Sequence, residues 1–180
     1  MKCFLFMTIL LIGSYFSSSA QDVTSISTLR MGPFKLGSKV AEVETVVGSK
    51  IKLKPIKDDA WEYDTVLVTY NTANYRLVFS IEQDQNNNKY KKLNSIYSAN
   101  TALKTKSSIG IGNNKAQILL AYDKYNLSIY NDWQYLDKNN PKDKIQFINL
   151  NDVDAGTVIR FTTVDRTITG IELSYMEEGD

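Results

Sequence analysis

One pattern occurs twice in the sequence, at a spacing of 75 residues, and this repeat constrains the fold more than any other feature. Residues 34–48, Phe-Lys-Leu-Gly-Ser-Lys-Val-Ala-Glu-Val-Glu-Thr-Val-Val-Gly, correspond to residues 109–123, Ile-Gly-Ile-Gly-Asn-Asn-Lys-Ala-Gln-Ile-Leu-Leu-Ala-Tyr-Asp. Further along, residues 59–63 around Trp61 correspond to residues 131–135 around Trp133, and residues 93–96 to residues 168–171. The sequence therefore predicts a duplicated structural unit.

The first 20 residues have the composition of a secretory signal peptide. Lys2 supplies a positive charge, residues 4–16 form a short apolar stretch, and Ser18-Ser19-Ala20 is a small-residue cleavage site. We expect a mature chain that begins near Gln21 and is exported to the periplasm or the extracellular medium. The apolar stretch is shorter than the roughly 20 residues that a spanning helix needs, so we expect no membrane span in the mature chain.

Charge and cysteine content exclude several classes of function. Loss of Lys2 with the signal peptide leaves 20 of the 21 basic residues against 20 acidic ones, so no net charge attracts nucleic acid. Cys3, the single cysteine, also lies in the signal peptide, and the chain contains no histidine. Cysteine–histidine and serine–histidine catalysis and the usual zinc sites are thereby excluded. We expect no catalytic residue, no cofactor and no bound metal.

Each predicted unit has one short helix followed by β-strands. In the first unit, spanning residues 21–99, valines at helical spacing predict a helix that starts after an N-cap at Ser38 and ends at Gly48. Runs rich in β-branched and aromatic residues predict strands at 50–54, 61–63, 66–71, 75–83 and 93–98. The second unit, 109–180, follows a polar linker at 100–108, with a helix at 113–122 and strands at 127–130, 133–136, 145–150, 157–164 and 167–175. The fold class is α+β: two tandem repeats, each a short helix packed on an antiparallel sheet.

These motifs resemble those of the BamE (SmpA/OmlA) family of outer-membrane-assembly proteins. The residues that carry the resemblance are Leu36, Gly37, Val43, Gly48, Asp59, Trp61, Tyr63, Phe79 and Ile96. Two such units in one secreted chain resemble the β-lactamase-inhibitory-protein (BLIP-like) fold, whose two units form a curved sheet. The resemblance implies a partner that is a protein or a component of the cell envelope. The chain lacks the lipid-attachment cysteine of the first family and the disulfides of the second.

Each unit contains a Trp-x-Tyr motif, at Trp61 and Tyr63 and at Trp133 and Tyr135. Residues two apart on a strand point to the same face, so both rings of each motif lie together. We expect these rings to pack each sheet against its helix. The alternative is a binding platform, because tryptophan and tyrosine dominate interface hot spots.

Alternation along the strands also predicts which residues face away from the core. Leu77, Phe79 and Ile81 are expected to point inward, as are Ile159, Phe161, Ile96 and Ile171, and this places Arg76, Tyr97, Arg160 and Glu172 on the opposite face. We interpret these four as candidate partner-binding residues, with a merely solvated surface as the alternative.

The preferred function is an exported, non-enzymatic binding protein, similar to a protein inhibitor, that acts through its sheet surface or loops. A cell-envelope assembly or structural accessory protein is the first alternative. A hydrolase using the carboxylates of Asp58, Asp59, Glu62 and Asp64 is the second, although a solvated loop is the preferred interpretation of that cluster.

Overall fold

The structure, a computed structural model, describes residues 24–56, 63–131 and 145–176. These residues form two helices and eleven strands, most of them in antiparallel pairs. In chain order the elements are β1 Ser25–Ile26, β2 Arg30–Met31, β3 Phe34–Lys35, α1 Val40–Val47, β4 Asp64–Tyr70, β5 Ala73–Gln83, β6 Lys89–Ser98, β7 Lys104–Thr105, α2 Lys115–Ala121, β8 Asn126–Asn131, β9 Gln146–Asp152, β10 Thr157–Val164 and β11 Thr167–Tyr175. The predicted α+β class is confirmed at this level.

A seven-stranded antiparallel sheet contains strands from both halves of the chain, in the order β4-β5-β6-β11-β10-β9-β8. Consecutive strands are neighbours within each half. Connections of two to five residues join β4 to β5, β5 to β6, β9 to β10 and β10 to β11. The two halves meet where β6 pairs with β11, and Tyr97 lies opposite Glu172 at this joint. Asp165 and Arg166 form the turn between β10 and β11, with positive φ angles of 48° and 68° that suit a two-residue hairpin loop.

A second, four-stranded sheet has the order β3-β2-β1-β7. Its strands are two residues long, and β1 pairs in parallel with β7. Strand β7 lies within residues 100–108, the predicted polar linker, and Leu103 beside it is buried. The pairing ties the linker to the N-terminal end of the described chain.

Helix α1 begins one residue later than the predicted cap implies. Lys39 is the N-cap residue, and its backbone N–H donates to the Glu42 carboxylate at 2.9 Å. Ser38 is held by the sheet instead, since its carbonyl accepts the N–H of Leu93 on β6. The helix ends at Gly48, as predicted, where a φ of 74° favours glycine.

Helix α2 has a reciprocal capping box. The Asn114 side chain accepts the Gln117 N–H at 3.0 Å, and the Gln117 side chain accepts the Asn114 N–H at 2.8 Å. Each helix buries one residue deeply, Val43 in α1 and Ile118 in α2. No helix in the described part of the chain is long and apolar enough to cross a membrane.

One hydrophobic cluster lies between the large sheet and the helices and includes residues from both halves. On β5 and β10, Leu77, Phe79, Ile159 and Phe161 all point into this cluster, as their alternation predicts. We call the face of the large sheet that carries these residues the inner face, and the opposite one the outer face.

Residues 50–54 form no strand, contrary to the prediction. They pass across the inner face: the Lys54 carbonyl accepts the Lys91 side chain at 2.5 Å, and the Lys54 N–H reaches the Asp64 carboxylate at 3.4 Å. These side-chain partners satisfy the backbone of Lys54 where a neighbouring strand would otherwise do so.

Several contacts recur at the spacing of the sequence repeat. The Gly37 N–H donates to the Leu93 carbonyl at 2.8 Å, and the Gly112 N–H donates to the Ile168 carbonyl at 3.0 Å. Gly37 and Gly112 have φ angles of 79° and 86°, which L side chains rarely adopt. Corresponding positions therefore have the same backbone conformation and the same hydrogen-bond partner.

Candidate functional site

The outer face of the large sheet carries one continuous row of side chains, with one residue from each of the seven strands. Strand register places each member directly opposite the next, so all lie on one face. We call this set the outer row; in order across the sheet it is Leu67, Arg76, Tyr97, Glu172, Arg160, Asn149 and Ser128. All four candidate residues predicted from strand alternation are thus brought together.

Arg76 and Tyr97 form a stacked pair on β5 and β6. The guanidinium carbon of Arg76 lies 4.6 Å from the centre of the Tyr97 ring, a distance typical of a cation–π contact. Within the described residues Arg76 makes no salt bridge. Stacking occupies one face of the guanidinium and leaves its in-plane N–H groups available for a carboxylate.

A glycine makes room for the Tyr97 ring. A Cβ on Gly170 of β11 would lie 2.6 Å from the Tyr97 hydroxyl oxygen and 2.7 Å from a ring carbon. Any side chain at position 170 would therefore push the ring aside. The position of Arg76 depends in turn on that ring, so Gly170 helps to set the geometry of the pair.

Glu172 and Arg160 are already paired with neighbours. A guanidinium nitrogen of Arg160 lies 3.6 Å from the Glu172 carboxylate, which also accepts the Ser95 hydroxyl at 2.6 Å. Arg160 donates through Nε to the Asn149 side chain at 3.2 Å. These contacts neutralise both charges, so in the described part of the outer row Arg76 is the cation without a carboxylate partner.

An aromatic pair extends this end of the site. The rings of Tyr130 and Phe147 lie 5.3 Å apart, and the Arg160 guanidinium lies within 6 Å of both ring centres. These rings were not predicted to belong to the site, and neither were Leu67, Asn149 and Ser128 of the outer row. Alternation on β4 and β9 was the available signal, but it does not say which strands become neighbours.

Three of the four aromatic residues of the Trp-x-Tyr motifs, Trp61, Trp133 and Tyr135, lie outside the described residues. Tyr63 is described and is 61% exposed. The expectation that it packs in the core is therefore wrong for this ring, which belongs to the residue just before β4. The role of the other three residues as core or platform stays a prediction.

The carboxylate cluster is represented by Asp64 alone, since Asp58, Asp59 and Glu62 lie outside the described residues. Asp64 is 6% exposed and forms a salt bridge with Lys91 on the inner face. It does not lie in a solvated loop, and it is on the opposite face from the outer row. The described residues contain no group of three or more histidine, cysteine, aspartate or glutamate side chains able to hold a metal.

An open cleft of about 620 Å³ lies elsewhere, between α1 and the turn that joins β2 to β3. Its lining includes Arg30, Glu42 and Tyr175 together with backbone around Gly37. It shares no residue with the outer row.

Comparisons of the chain with protein-family models, with curated proteins and with solved structures found no match. The resemblance to the BamE and BLIP-like families therefore stays a prediction based on the short motifs given above. The site combines an exposed arginine stacked on an aromatic ring with a neighbouring neutralised ion pair, on an antiparallel sheet.

Proposed function

We propose that this chain is an exported, non-enzymatic binding protein whose partner docks on the outer face of the seven-stranded sheet. The observation that carries the proposal is the Arg76–Tyr97 stack, in which a guanidinium is positioned by a ring and lacks a carboxylate among the described residues. Arginine and tyrosine are enriched in interface hot spots because both combine apolar contact area with directed hydrogen bonds.

The rest of the outer row favours docking of a protein surface over binding of a small molecule. The row runs across seven strands and consists mostly of polar and charged side chains, whereas small-molecule sites are concave and mostly apolar. Glu172 and Arg160 neutralise each other, so they can be covered by a partner without leaving an unpaired buried charge. We expect the partner to place an acidic side chain against Arg76.

We propose further that the two halves are copies of one BamE-like or BLIP-like unit, in accord with the predicted signal peptide and the tandem motifs of the sequence. The recurrent hydrogen bonds of Gly37 and Gly112 support this proposal. So does the joint between β6 and β11, where Tyr97 faces Glu172 at the same spacing of 75 residues. Direct pairing of corresponding positions is what a two-fold relation between two copies requires.

Charge reversal at Arg76 tests the function. Partners captured from the envelope and the medium of the source cells are identified, and their affinity for wild type and for Arg76→Glu is then measured. We expect Arg76→Glu to weaken binding about thirtyfold or more, the loss of roughly 2 kcal/mol or more that is typical of a hot-spot residue. Arg166→Glu is the matched control, because Arg166 is exposed in the turn between β10 and β11, away from the outer row.

Melting curves of both variants establish that they fold. Equal affinity of wild type and Arg76→Glu for every captured partner would eliminate the outer row as the docking site. Co-purification with a multi-protein envelope complex would favour the assembly factor, and a stable one-to-one complex with an enzyme would favour the inhibitor.

A further inference from the structure

Strand β4 is one edge of the seven-stranded sheet, and its outward backbone groups have no strand beside them within the described residues. The nearby residues 51–56 do not extend the sheet. Their Lys54 carbonyl accepts a hydrogen bond from Lys91, which is on β6, two strands in from the edge. The segment therefore lies against the inner face, and no described residue pairs with the outward edge of β4.

Soluble proteins usually protect such an edge with charged residues, proline or a bulge, because free backbone groups attract another strand. The central five residues of β4, Thr65-Val66-Leu67-Val68-Thr69, contain none of these. Asp64, the one charged residue of the strand, is buried and paired with Lys91. At the centre, Leu67 is 81% exposed on the outer face.

These five residues read the same in both directions, and an antiparallel partner reverses direction. If β4 met a second β4 with Leu67 on the two-fold axis, Leu67 would face Leu67, Val66 would face Val68, and Thr65 would face Thr69. The two residues of each facing pair would be of the same type and would point to the same face of the sheet. Cross-strand pairs of this kind stabilise sheets. A one-residue shift would set outer side chains against inner ones.

We propose that β4 is a homodimer interface, at which β4 strands from two copies of this chain pair in antiparallel register about Leu67. The palindromic sequence of residues 65–69 favours a second copy over an unrelated strand, because self-pairing places each residue opposite one of the same type. Strand β8, the opposite edge, lacks this property: two-fold pairing centred on Ser128 would set Asn126 against Tyr130. The proposal is independent of docking at the outer row.

Cross-linking tests the register. In a chain that carries Cys3→Ser, Leu67→Cys places one thiol on the proposed axis. Facing Cα atoms in antiparallel strands are about 4.5–5.5 Å apart, within the roughly 4.4–6.8 Å that a disulfide spans. We expect mild oxidation to give a covalent dimer. Ser128→Cys is the matched control: Ser128 is at the other end of the outer row, on the opposite edge, so this variant keeps the β4 interface but should form no covalent dimer under the same conditions.

Sedimentation over a concentration series tests the interface without a cross-link. We expect wild type and Ser128→Lys to double in mass as concentration rises, whereas Leu67→Lys stays monomeric because two ammonium groups would meet on the axis. A wild-type monomer up to about 1 mM, the range of the weakest specific complexes, would overturn the proposal. So would equal cross-linking of the two cysteine variants, or a dimer that Leu67→Lys leaves intact.

Discussion

At the scale of residues, the core contains buried phenols, and Tyr75 is the most deeply buried of those that the structure describes. Tyr75 is 2% exposed, and its ring meets Phe34 edge-to-face at 4.9 Å between centres. Burial raises the pKa of Tyr75 above its ordinary value, and the neighbouring phenol of Tyr70 adds to the increase. The folded state therefore favours the neutral phenol.

This pKa shift predicts a loss of stability at alkaline pH. As pH rises past about 10, the unfolded chain releases the Tyr75 proton while the folded chain retains it, so the free energy of unfolding falls with pH. In Tyr75→Phe this contribution is absent. Urea unfolding at pH 8 and at about pH 11 should therefore show a smaller loss for Tyr75→Phe than for wild type. Tyr63→Phe, at an exposed ring, should follow wild type; equal losses in all three proteins would contradict the prediction.

Residue-level alternation was the part of the site that the sequence predicted well. The period-two patterns of β5 and β10 predict that Arg76 and Arg160 lie on the other face of the sheet from Phe79 and Phe161. Both phenylalanines are buried, as this pattern requires. The stack of Arg76 on Tyr97 and the space left by Gly170 could not be predicted. They depend on which strands are neighbours, which local periodicity does not encode.

At the scale of elements, the hairpin between β4 and β5 contains a local strain. Asn71 and Thr72 form its two-residue turn with φ angles of 45° and 66°. Asparagine tolerates this left-handed region, but a β-branched residue rarely adopts it. Strain of this kind costs about 1–3 kcal/mol where it persists.

Thr72→Gly should therefore increase the free energy of unfolding by about 1 kcal/mol, because glycine adopts a positive φ without steric cost. The gain is reduced by loss of the hydrogen bond that the Thr72 hydroxyl donates to the Asn71 carbonyl. Thr69→Gly is the matched control, since the same change within β4 should destabilise the strand. Urea melts measure both variants; a less stable Thr72→Gly would show that the hydroxyl contact outweighs the strain.

Helices and strand pairs were easier to predict than the segments between them. Both helices follow valine, isoleucine or leucine spacing, and the long strands follow alternation. Residues 50–54 have the same β-rich composition, yet Lys91 and Asp64 bind the backbone of Lys54 instead. The parallel partner of β7 is β1, almost 80 residues earlier in the chain, and no local pattern signals so distant a contact.

At the scale of the whole molecule, the two halves share one sheet and one core. Strands β6 and β11 join them by backbone pairing, and residues from both halves form a single hydrophobic cluster. Phe79 in the first half and Phe161 in the second are both fully buried there. A core shared in this way favours unfolding of the molecule as one cooperative unit.

Cooperative unfolding predicts that a destabilising substitution in one half lowers the stability of both halves. Phe79→Ala and Phe161→Ala should each lower the free energy of unfolding by about 3–5 kcal/mol, because truncation removes buried area and leaves a cavity. Hydrogen exchange should then speed up by a similar factor in β5 and in β10 for either variant, since the slowest amides exchange through global unfolding. Thr162→Ala, next to Phe161 but on the outer face, should change exchange little. If Phe79→Ala speeds exchange in β5 and leaves β10 protected, the halves are separately stable and the β6–β11 joint does not couple them.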